Sequence, residues 1–132
     1  DFGMAAYCPE GQALTEVVGT LAYAAPEVWS GEYGLECDIW SAGMVLHELL
    51  SGRLPRSCEE AACGEAWAAI SPAGRELVLG LLRRAPAQRW ALQHCLAHPW
   101  LAPRPGEAPE QAALHPDVVL NMRRYAQGTV LH

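Results

Sequence analysis

One segment limits the fold more than any other. Residues 36–51, ECDIWSAGMVLHELLS, are followed by Gly52. Ile39, Trp40, Met44, Val45, Leu46, Leu49 and Leu50 cover nearly every direction around a helical axis, with few charges between them. A helix that is apolar all round belongs inside a protein. The pattern therefore predicts a buried central helix, capped near its start by Asp38 and stopped by Gly52.

The rest of the chain reads as helices and loops around it, with no convincing strand. Residues 1–24 have no sustained period and contain Pro9, Gly11 and Gly19; a loop of that length is unusual unless it is functional. Pro26 can open a short helix, with Glu27 near the positive end of its dipole. Residues 53–70 are a loop with one short helical piece. Ser71-Pro72 pairs a cap with a first-position proline, ahead of an apolar stripe of Leu77, Val78, Leu81 and Leu82. A further helix is expected over about 88–97, then a proline-rich linker over 102–110. A last helix within 111–132 would be capped by Asp117, with Val118, Met122 and Tyr125 along one side.

Composition removes several classes. The net charge of −6 argues against a nucleic-acid or anionic-membrane partner. No apolar run reaches the roughly 20 residues of a membrane span, and the opening DFGMAAYCPEG lacks the features of a signal peptide. The five cysteines show no repeated spacing, which suits free thiols in a reducing compartment. His94, Cys95 and His98 have a spacing zinc can use, but no second ligand pair accompanies them. The chain has no lysine; all nine of its cationic side chains are arginine.

The motifs come in order: Asp1-Phe2-Gly3, a loop, Ala25-Pro26-Glu27, then Asp38-x-Trp40-Ser41-x-Gly43 in the apolar helix, then Arg89. Each triplet alone is a weak signal; the ordered series is strong. It resembles the C-terminal half of a eukaryotic serine/threonine protein kinase. GQALTEVVGTLAYAAPEVW, YGLECDIWSAGMVLHELLSG and ISPAGRELVLGLLRRAPAQRWALQHCLAHPWL are similar to plant-type calcium-dependent protein kinases and, more loosely, to calmodulin-dependent ones. The resemblance covers about residues 1–101. It implies a mainly α fold, a partial kinase C-terminal lobe without the N-terminal β lobe, in which 1–27 form the activation loop and 28–101 the helical core.

The resemblance also assigns roles. Asp1 matches the magnesium-holding carboxylate of phosphoryl transfer, within a cofactor-binding Asp1-Phe2-Gly3 whose glycine lets the loop turn. ATP and Mg2+ are the implied cofactors. Thr20 matches the hydroxyl near the catalytic base. Glu27 matches a carboxylate that pairs with a distant arginine, here Arg89. Asp38 matches the residue tying the catalytic loop to the central helix, or is simply a helix cap; Trp40 and Gly43 belong to the same structural motif, and Trp40 and Trp100 read as core. Glu16 stands near the site of an activating phosphothreonine and can mimic its charge, or is a solvated loop residue. The tail resembles the autoinhibitory junction of this family, a basic amphipathic helix that would enter a groove through Val118, Met122 and Tyr125; a helix packing on its own domain fits equally.

The chain departs from the family in two respects. It supplies no strand lysine for the phosphates, no catalytic-loop Asp and Asn, and no EF-hand loop; Asn121 lies in the tail. Only 14 residues separate Pro55 from Ile70, where the family usually has a longer stretch that helps dock substrates. The resemblance thus implies a calcium-dependent-type serine/threonine kinase seen as a C-lobe fragment, inactive alone. Its partners would be protein substrates and a calcium-sensor module, and its residence cytoplasmic or nuclear. The alternative is a pseudokinase or scaffold that binds partner proteins without catalysis. With the central helix uncovered, its apolar surface is expected to form a patch that drives association.

Overall fold

The computed structural model describes residues 3–101 and 116–128. Among the described residues seven α-helices follow in chain order: α1 Pro26–Ser30, α2 Glu36–Ser51, α3 Cys58–Ala61, α4 Glu65–Ala69, α5 Pro72–Leu81, α6 Leu92–Leu96 and α7 Pro116–Gly128. Residues 3–25 form turns and irregular chain. Among the described residues the only β pairing is an isolated bridge between Leu14 and Tyr33, whose amides each donate to the other's carbonyl at 2.8 and 3.1 Å. The fold is that of a mainly α, kinase-like C-terminal lobe.

The central helix forms where its composition requires, and the elements around it cover it. Trp40, Gly43, Met44 and His47 are its buried residues, and it packs chiefly on α5 and α7, with α4 beside them. Gly43 sets the distance to α5: a Cβ there would stand 2.8 Å from Leu81 Cβ and 2.9 Å from Leu82 Cδ2. A mid-helix glycine costs about 0.5–1 kcal/mol relative to alanine; close approach of the two helices is what it permits. Gly52 ends α2 in the left-handed region at φ 75°. Ser71 caps α5, its Oγ accepting from the Gly74 amide at 3.2 Å. Leu77, Val78, Leu81 and Leu82 are all buried.

Three expectations need correction. Asp38 does not cap α2: it sits in the first turn, and the helix is preceded by Leu35, already in a helical conformation. The amides of Cys37 and Asp38 donate instead to the carbonyls of Gly34 and Leu35, so backbone turns take the place of a side-chain cap. The helix expected over 88–97 is shorter. Pro86–Gln88 make a 3-10 turn, Arg89 is extended (φ −67°, ψ 141°), and α6 begins only at Leu92. Arg89 leaves the helical path because its side chain turns into the core. Finally, no large apolar side chain of α2 is exposed. The exposed large apolar residues lie elsewhere, among them Met4, Tyr7, Val17, Val18 and Leu21 of the N-terminal loop.

The short stretch between Pro55 and Ile70 folds as two helical turns rather than one. Ala61 and Trp67 enter the same core cluster as Trp40 and Met44. His47, fully buried, ties the stretch to α2: its ring nitrogens lie 3.0 Å from the carbonyl oxygens of Arg53 and Ala61, and its ring stacks on Trp67 at 5.5 Å. Arg53 donates to the Glu60 carboxylate at 3.0 Å and to the Cys63 carbonyl at 2.7 Å. The Arg56 amide donates to Glu60 as well, and that bond, ahead of the nearby arginines, holds the Glu60 carboxyl below its usual range.

The linker expected over 102–110, and the first residues of the 111–132 segment, lie outside the described residues. Within α7, Asp117 occupies the first turn. The helix lies on α2. The Asn121 amide donates to the Leu49 carbonyl at 2.9 Å, and Tyr125 meets Tyr23 edge to face at 6.5 Å. Val118 is half-buried, whereas Met122 is exposed, so the inward face is Val118, Asn121 and Tyr125 rather than the expected set.

Candidate functional site

The N-terminal loop, α1 and the start of α2 enclose a cleft of about 430 Å³. Thr20, Tyr23, Ala24, Cys37, Asp38 and Ser41 are among its walls. Small residues make the cleft possible: Gly19, at φ 106°, turns the chain in a way that L side chains resist, and Ala24 and Ala25 keep the loop close to the helix.

The loop is fastened to α2 from two positions seven residues apart, hence on one helical face. The Ser41 hydroxyl lies 3.1 Å from the Tyr23 carbonyl and 3.2 Å from that of Cys37, both acceptors. The Tyr23 hydroxyl donates to Glu48 at 2.7 Å. Burial first, and then the Glu48 carboxylate, push the Tyr23 phenol well above its usual range. Tyr33 ties the loop again, its hydroxyl donating to the Glu16 carbonyl at 2.5 Å. None of these ties was named from the sequence. The seven-residue spacing of Ser41 and Glu48 was the available signal, but it points to a shared face without saying what that face meets.

Glu27 and Arg89 are brought together. Arg89 is buried and donates to both carboxylate oxygens, at 2.5 and 3.0 Å. Its remaining donors reach the carbonyls of Glu36 (2.7 Å), Arg83 (3.0 Å) and Arg84 (3.4 Å), and the guanidinium stands 5.2 Å from the Trp40 ring centre. All five donors of the planar guanidinium are thereby satisfied. The pair locks the end of the loop to the turn after α5 and to the floor of α2.

Other named residues stand apart. Asp1 and Phe2 lie outside the described residues, and Gly3 is exposed at their edge. Thr20 is exposed at the cleft, its carbonyl accepting from the Tyr23 amide at 3.0 Å. Glu16 is exposed; its backbone, not its carboxylate, makes the contact with Tyr33. Asp38 is exposed at the cleft wall, where the Cys37 thiol approaches its carboxylate at 3.8 Å. Burial, followed by that carboxylate, pushes the Cys37 thiol up to about 11. His94 stacks on Trp90 at 4.3 Å, and His98 lies against the same ring at 5.5 Å while its Nε2 faces Glu76 at 3.6 Å. Trp40 lies in the core, and its Nε1 has no partner among the described residues.

The arrangement can present a hydroxyl-bearing loop and a narrow cleft to an extended chain. It contains no lysine with which to grip phosphates. Comparison with known proteins agrees with this geometry. Residues 1–101 match the protein kinase domain. Calcium-dependent protein kinase 11 of Arabidopsis thaliana is 34% identical over 96% of this chain and 28% of its own length. Calcium-dependent protein kinase 25 of the same plant is 37% identical over 83% of this chain and 24% of its own. Among solved structures, the twitchin kinase region from C. elegans aligns with a TM-score of 0.70 and 31% identity, over 98% of this chain and 25% of that one. The chain spans about a quarter of the length of the relatives it matches.

Proposed function

The chain belongs to the protein kinase family, and from that membership we propose that it is the substrate-holding lobe of a calcium-dependent-type serine/threonine kinase. Residues 1–101 are the lobe, and α7 belongs to a following regulatory segment. The observation that carries the reading is the bidentate Glu27–Arg89 pair, which closes the loop onto α2 beside the cleft. There the lobe's own residues hold an extended protein substrate. Thr20 faces it, Ser41 and Glu48 fix the loop backbone through Tyr23, and the alanines leave room for its main chain.

These residues do not by themselves fit ATP and Mg2+. Asp1 alone resembles a metal ligand, lysine is absent, and the Asn121 amide is committed to the Leu49 carbonyl. We therefore assign no step of phosphate transfer to this chain, and the 132 residues alone are proposed to be inactive. A second reading of the same fold is a partner-binding scaffold. Protein substrates and a calcium-sensor module are the proposed partners, by analogy with the relatives. Cytoplasmic or nuclear residence is supported by the free thiols of Cys8, Cys37, Cys63 and Cys95.

The test is a chimera. Residues 1–101 replace the corresponding segment of a calcium-dependent protein kinase, and labelled phosphate transfer from ATP to a basic serine peptide is followed with and without calcium. Calcium-stimulated incorporation supports the kinase reading. A folded chimera that transfers nothing favours the scaffold.

A further inference from the structure

A second groove, of about 460 Å³, lies along α5 and the turn after it, and the cleft described above includes none of its residues. Its walls are Trp67 and Trp90, and its floor carries Leu79, 39% exposed, with Arg75 to one side and Arg83 to the other. Gly80 brings Trp90 in close: a Cβ at that position would stand 2.3 Å from the indole. Neither Arg75 nor Arg83 has a carboxylate partner among the described residues, in contrast to Arg53 and Arg89. Glu76, also in the groove wall, is directed toward His98 at 3.6 Å. On a chain of net charge −6, the groove carries two arginines to one glutamate, a local excess of positive charge beside an apolar floor.

We propose that this groove is a docking site for an acidic peptide of a partner protein, with an apolar side chain seated on Leu79 between two carboxylates that meet Arg75 and Arg83. The order of the groove residues defines the peptide. Arg75 and Leu79 are four residues apart on α5, and Arg83 lies two residues past its end at Leu81. In an extended chain, residues i, i+2 and i+4 share one face, so an acidic-x-apolar-x-acidic motif presents its three side chains to the groove in that order. Arginine forks suit carboxylates, and the half-buried Trp90 indole offers an apolar face beside them.

The full 132-residue chain is titrated into a fluorescein-labelled Ser-Glu-Ser-Leu-Ser-Glu-Ser peptide at low ionic strength, and anisotropy is read. Saturable binding is expected, weakened by salt. Binding should be at least about tenfold weaker in a Arg75→Glu/Arg83→Glu variant whose circular dichroism matches that of the parent. A peptide with Lys in place of both Glu should not bind. No saturation, unchanged affinity in the double variant, equal binding of the Lys peptide, or tighter binding of oligouridylate would each overturn the proposal. If the double variant fails to fold, Leu79→Asp supplies the same comparison: it removes the apolar seat and must weaken binding.

Discussion

Arg89 reaches back 62 residues to Glu27 and holds its carboxylate with two hydrogen bonds inside the core. The contact joins the first turn of α1, where the N-terminal loop ends, to the turn between α5 and α6, neither of which could bury that charge alone. A buried ion pair is costly to desolvate and is tolerated where the remaining donors are all satisfied, as the carbonyls of Glu36, Arg83 and Arg84 do here. Its effect is to fix the shape of the cleft floor.

Gly43→Ala tests the packing of α2 on α5. The added methyl meets Leu81 Cβ, which is anchored to its backbone and cannot swing away. Overpacking of this kind costs about 1–3 kcal/mol, against a gain in helix propensity of about 1 kcal/mol. The urea midpoint is expected to fall; a rise would mean that α5 is free to move off α2.

Cysteine labelling tests the cleft wall. Burial and the Asp38 carboxylate raise the Cys37 thiol to about 11, whereas Cys63 is exposed. Iodoacetamide at pH 8, followed by peptide mass mapping, should modify Cys63 well before Cys37, because the thiolate is the nucleophile. Cys37 labelling should then accelerate as the pH approaches about 11. Equal rates at pH 8 would place Cys37 in open solvent.

Tyr23 makes stability depend on alkaline pH. Its phenol is raised in the folded state by burial and by Glu48, so the folded chain keeps a proton that the unfolded chain releases near pH 10. The associated stability is complete below about pH 10 and is lost as the pH climbs toward the folded value. Urea midpoints at pH 8 and 11 should therefore differ more for the parent than for Tyr23→Phe, and an equal difference would refute the assignment.

The α7 contact can be released. Tyr125→Ala removes the ring that meets Tyr23, and Asn121→Ala removes the bond to Leu49. Together they should raise hydrogen exchange in the last turns of α2 and promote association through the uncovered apolar face. Unchanged exchange there would mean that α7 does not cover α2.

Much of this was legible in the sequence, for identifiable reasons. An apolar stretch with no polar face has one place to go, so α2 was readable. Ser71-Pro72 and Gly52 act through local backbone chemistry, so they too marked real boundaries. Asp38 and Arg89 misled as helix signals because tertiary demands overrode them: Gly34 and Leu35 supply the turn carbonyls, and Arg89 must leave the helical path to reach Glu27. Met122 looked like an anchor because hydrophobic spacing cannot tell which face a neighbour will occupy; Asn121 took the inward place by bonding a carbonyl left free near the end of α2. The Ser41–Tyr23–Glu48 ties depend on the loop's path, which no periodicity encodes.

The central claim is that the loop end and the turn after α5 form one cooperative body around α2. A double-mutant cycle on Glu27 and Arg89, read from urea unfolding of the full chain, tests it most directly. Glu27→Ala and Arg89→Ala are each expected to cost about 3–5 kcal/mol, and the double variant far less than their sum, because the second change removes the charge that the first left stranded. Costs that simply add would contradict the account.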